Sequence, residues 1–156
     1  MYFWNINKLV MSLQTGRITG KQKKRYRITF WLLVALTMFS LSEIYNPSSM
    51  NGYDVMDLIL FIIINVIAIY LLVGIYKKRS RKELDFFLPF FSLMIPLFIR
   101  NSLWTILLTI IGSIYIVLFA PYHSLEETNI IDVSINAIVE MIMNIMFVHY
   151  FKKIYN

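Results

Sequence analysis

The sequence predicts an all-α integral membrane protein: four transmembrane helices, both chain ends in the cytoplasm, and an interfacial or re-entrant apolar segment before the third span. Three observations carry that expectation. The chain has 156 residues, 58% of them hydrophobic and 16% aromatic, where soluble domains run near ~45–50% apolar. The excess sits in runs around 58–76, 103–120 and 138–151 that almost lack charge. The fifteen Lys and Arg residues are clustered: seven precede the first apolar run, five lie within 77–82, Arg100 stands alone, and two follow the last run. Clustering beside apolar runs is the footprint of membrane topology. The formal charge of +6 therefore does not call for a nucleic-acid partner.

Residues 1–27 read as a cytoplasmic N-terminal segment, and 28–153 as the membrane domain. Phe3, Ile6, Val10 and Leu13 recur at helical spacing beside Trp4 and Lys8. Such a segment can lie in the headgroup plane with its apolar face down, or remain a partly ordered tail. No long apolar stretch follows an early positive region, so a cleavable leader is not expected. Residues 14–24 carry Gly16 and Gly20 and read as a polar linker. Lys21, Lys23, Lys24, Arg25 and Arg27 then hold the start of the first span, about 28–45, at the cytoplasmic face.

The turn-forming run at 46–52 contains no Lys or Arg. The second span, about 55–76, stops at Lys77, Lys78, Arg79, Arg81 and Lys82. These basic residues are expected to contact anionic inner-leaflet lipids. The stretch 86–120 is long for one crossing and short for two, and Pro89, Pro96 and Arg100 interrupt it. Two crossings would put Arg100 outside, Glu126 and Glu127 inside, and Lys152 and Lys153 outside, each against the positive-inside rule. One crossing, about 102–120 and capped by Asn101 or Ser102, avoids all three conflicts. It leaves 86–99 as the interfacial or re-entrant piece. The fourth span is expected at about 130–151.

The fourth span also holds the main candidate chemistry. Asp132, Asn136, Glu140 and Asn144 recur every fourth residue, so they form one polar stripe on a helix. An ionisable side chain at the centre of a span costs about 2.5–3.5 kcal/mol, so the stripe must face protein or water. Asn65 lies near the middle of the second span and can meet Glu140 at the same depth. Glu140 is then either an ion or proton site or part of interhelical glue, and in both cases protonated or strongly hydrogen-bonded. Glu43, Asp54, Asp57, Glu126 and Glu127, with Asp132, make the outer face acidic. That face can attract cations or a basic peptide, or can consist simply of solvated helix ends. Thr105, Thr109 and Ser113, beside Gly112, suggest a close-packing face.

His123 and His149 fall on opposite sides of the expected membrane and cannot share a metal. Met141, Met143 and Met146 read as packing residues. Without cysteine there is no thiol chemistry, and no nucleophile, phosphate-loop or metalloprotease motif is present. No cofactor is expected. The functional expectation is a small non-enzymatic accessory, regulatory or immunity-type factor that binds a protein or peptide partner. The alternative is an oligomeric transporter or channel subunit built on Glu140. The abundance of Ile, Asn, Lys and Tyr points to a bacterial cytoplasmic membrane.

Overall fold

A computed structural model describes residues 2, 4–44, 50–78, 85–119 and 127–155, the side chains of 40–44 excepted. The described residues are 88% helical, with no strand. They form α1 (Ile6–Gln14), α2 (Gly20–Ile44), α3 (Gly52–Lys77), α4 (Phe87–Phe119) and α5 (Ile130–Tyr155). Three of these, α3, α4 and α5, are long and apolar enough to cross a bilayer. Large side chains such as Ile62, Val66, Ile110 and Ile145 stand exposed on them. A water-facing surface rarely carries so much contiguous apolar area, and hydrocarbon accounts for it.

Local sequence explains the helix ends. Asn51 accepts from the backbone N–H groups of Tyr53 and Asp54, and Asp54 accepts from Asn51 N at 2.8 Å. Asn129 and Asp132 repeat this arrangement at the start of α5. Each reciprocal pair satisfies orphan donors of a first turn. The two caps share the pattern Asn-x-x-Asp-Val, at 51–55 and 129–133. That common motif was not anticipated from the sequence. Thr19 and Gln22 form a similar pair ahead of α2, so the expected linker shrinks to 15–19 and the basic residues 21–27 are helical. At the end of α1, Arg17 N bonds Ser12 O and Gly16 N bonds Leu13 O. Gly16 sits at φ 67, the left-handed position glycine takes without strain in this helix-ending motif.

The helices pack in an open row in the order α3, α5, α4, α2, with α1 laid across α4 and α5. No close backbone approach joins α3 to α4 or α2 to α3 among the described residues. α3 and α5 run parallel. Asn51 meets Thr128 O at one end, Asn65 meets Glu140 midway, and the Tyr76 and Tyr155 rings meet at 5.7 Å at the other. α4 runs antiparallel to α5, with Phe90 on Phe147 and Gly112 beside Ile131 and Ile135.

Two expectations are corrected here. No break or cap occurs at Asn101 or Ser102. The helix is continuous from Phe87, and Ser102 Oγ and Thr105 Oγ1 donate back to the carbonyls of Phe98 and Asn101. Pro89 lies in the first turn, where its missing N–H would have no partner. Pro96 lies inside the helix and is buried. The packing of Leu93, Ile95 and Leu97, all buried, holds this part of the helix together across the proline. At 1.5 Å per residue α4 spans about 50 Å, well over the roughly 30 Å of hydrocarbon.

The second correction concerns α1. Its apolar stripe, Ile6, Leu9, Val10 and Leu13, is buried in protein, not laid on lipid. The stripe joins Leu72, Leu93, Phe151 and Tyr155 in one core at the end of the molecule where α3 and α5 finish. Gln14 donates to Lys153 O at 2.7 Å, Tyr2 N donates to the Tyr26 hydroxyl at 2.8 Å, and Tyr155 donates to Asp85 O.

Candidate functional site

The polar stripe of α5 is divided among three tasks. Asp132 closes the cap just described. One turn on, Asn136 donates to Asp57 of α3 at 3.1 Å. Another turn on, Glu140 Oε1 accepts from Asn65 of α3 at 2.7 Å and from Asn144 at 3.4 Å. Asn144 is buried and also donates to Glu140 O, while Asn65 donates to Phe61 O as well. Four polar side chains therefore pair across the α3–α5 seam, Asp57, Asn65 and Glu140 half-buried and Asn136 exposed, and the pairing offsets part of the cost of intramembrane polarity.

Because α3 and α4 flank α5 without meeting, a cleft of about 210 Å³ opens between them. α5 supplies its floor through Asn136, Ala137, Val139 and Glu140. Asp57, Leu60, Phe61 and Ile64 form the α3 wall, and Asn101 and Thr105 the α4 wall. Two carboxylates thus face one small space, which they share with the polar Asn101, Thr105 and Asn136 and with the apolar Leu60, Phe61, Ile64 and Val139. A low-dielectric surround strengthens any interaction with a cation there. Toward residue 155 the space between the helices is filled. Phe86 contacts Tyr76 and Phe151, and Phe90 contacts Phe147, at ring distances of 5.2–5.4 Å. These rings lie between the cleft and the residue-155 end of the helices.

The other sequence candidates lie apart. Asp54 is a cap partner, and Glu127 is exposed near the same end. The side chains of Glu43, Arg79, Arg81, Lys82 and Glu126, like His123, lie outside the described residues. Lys21, Lys23, Lys24, Arg25, Arg27, Lys77 and Lys78 are exposed at the end opposite Asp54 and Asp132. Of the expected small-residue face, Gly112 is buried against α5, Thr109 is exposed and Thr105 joins the cleft. His149 is exposed with its ring edge on Tyr150. Met143 is buried, whereas Met141 is exposed. Sequence reasoning missed Asn101 and Thr105. Their signal was present in the i, i+4 spacing, but the expected helix break at Arg100 hid it. Comparison with protein families, curated proteins and solved structures finds no match.

Proposed function

We propose that this chain is a four-span protein of a bacterial cytoplasmic membrane, with both ends inside. On this reading it acts as a non-enzymatic accessory factor, of regulatory or immunity type, that receives a protein or peptide partner in the cleft between α3 and α4. Four spans follow if α2 crosses as well as α3, α4 and α5. The gathering of basic residues at one end and of Asp54, Asp57 and Asp132 at the other supports that orientation.

The observation that carries the binding role is the shape of the cleft. It is lined by Asp57 and Glu140, and aromatic rings lie between it and the basic end. An acidic cleft so placed suits a basic or hydroxylated side chain offered from outside, whereas conduction needs a way through. A second reading, an oligomeric transporter or channel subunit, draws support from the same pair of carboxylates sharing one space.

A photo-crosslinking amino acid at Asn101 separates the two readings. A discrete adduct in intact cells that Asp57→Asn weakens supports the binding role. Absence of any adduct, with a cation flux in vesicles abolished by Glu140→Gln, favours the transporter.

A further inference from the structure

A second polar cavity, of about 360 Å³, is lined by Trp4, Asn5, Ile6, Asn7, Arg100 and Tyr150 and shares no residue with the cleft. We propose that it binds a phosphate-bearing anion, met in the membrane as the headgroup of an anionic phospholipid.

Arg100 presents five N–H donors in a planar fork suited to phosphate. Among the described residues its hydrogen-bond partner is the neutral carbonyl of Trp4, at 2.8 Å, and no carboxylate lines the cavity. Arg100 is half-buried beside an apolar helix row and has no counter-charge among the described residues, an arrangement that favours an anion. The surroundings suit one. Asn5 and Asn7 bring amide groups, Tyr150 brings a hydroxyl, and Lys153 reaches Asn7 at 3.5 Å. The first turn of α1 lies here too, so its positive end adds to the field. No acidic residue occurs in the sequence before Glu43, while seven Lys and Arg do. Residues 1–42 therefore supply no carboxylate to neutralise Arg100, and none lines the cavity among the described residues. Trp4 stands 62% exposed at the rim, as an interfacial aromatic beside a headgroup does. The inference is independent of what occupies the carboxylate cleft.

The test uses the full chain carrying Trp31→Phe and Trp104→Phe, so that Trp4 alone fluoresces. It is reconstituted in vesicles of phosphatidylcholine with a minor fraction of dibrominated phosphatidylglycerol, and separately of dibrominated phosphatidylcholine. The expected result is preferential quenching of Trp4 by the anionic lipid. Arg100→Gln should cut the relative affinity about tenfold, the change a charge-assisted contact brings. Arg100→Lys should retain part of it. Lys21→Gln with Lys23→Gln and Lys24→Gln should leave it intact, because those side chains do not line the cavity. Relief of quenching by inorganic phosphate would make the soluble anion a competent source, and no relief would assign the site to lipid. Equal quenching by both lipids with no response to phosphate overturns the proposal. So does a preference that survives Arg100→Gln.

Discussion

Asn65 of α3 donates its side-chain amide to the carboxylate of Glu140 on α5 at 2.7 Å, midway along two parallel helices. Removing the donor leaves Glu140 with Asn144 alone. Asn65→Ala is expected to destabilise the fold by about 1–2 kcal/mol, the worth of an interhelical polar contact in a membrane. Glu140→Gln keeps an acceptor and is expected to change stability less. Reversible unfolding in mixed micelles measures both.

The paired caps give a second expectation. Asn129→Ala should lose about 1 kcal/mol by leaving first-turn donors unsatisfied. Asn51→Ala should lose the cap and also the bond to Thr128 O that ties the start of α3 to that of α5. Asn51→Ser, which caps but reaches less far, should restore only the capping part of that loss.

Gly112 sets the spacing of α4 and α5. A Cβ there would stand 2.6 Å from Ile135 Cδ1 and 3.5 Å from Ile131 Cγ2. The nearer atom ends a flexible side chain, so Gly112→Ala should be tolerated. Gly112→Leu should cost about 1–3 kcal/mol through overpacking, and Ile135→Ala should recover part of that loss. Unfolding midpoints of the single and double variants test the pairing.

A pH dependence follows from Tyr26, which lies ahead of the first proposed span. Its hydroxyl is pushed above its ordinary value chiefly by burial, against the lowering effect of the Tyr2 N–H. The neutral phenol is the folded-state species. Its contribution is full below about pH 10, the unfolded value, and is lost as pH rises through the higher folded value. Tyr26→Phe should flatten that alkaline loss in a thermal-denaturation series, while giving up the bond to Tyr2 N.

Much of this arrangement was legible in residue spacing. The i, i+4 recurrence of Asn136, Glu140 and Asn144 placed one polar face on α5, and equal depth alone paired Asn65 with Glu140. The course of α4 was not legible. Pro96 and Arg100 read as breaks because local rules charge each of them to its own helix, yet tertiary packing around Leu93 and Leu97 keeps the helix whole. The destination of α1 was hidden for a similar reason. An amphipathic stripe specifies that something apolar covers it, and either lipid or α4 and α5 would serve. The cleft was half visible: its α5 floor followed from periodicity, but its α4 wall falls where the spacing predicts the start of a span at 102 and not the middle of a helix.

The parallel course of α3 and α5 is the feature on which the cleft and the proposed sidedness both depend. The chain contains no cysteine, so single cysteines can be read without background. Cysteines replacing the exposed Tyr53 and Glu127, and others replacing the exposed Lys77 and Lys153, are treated in intact cells with a membrane-impermeant maleimide. The first pair should label from outside and the second only after permeabilisation. If position 53 labels on one side of the membrane and position 127 on the other, the two helices do not cross together and the account is wrong.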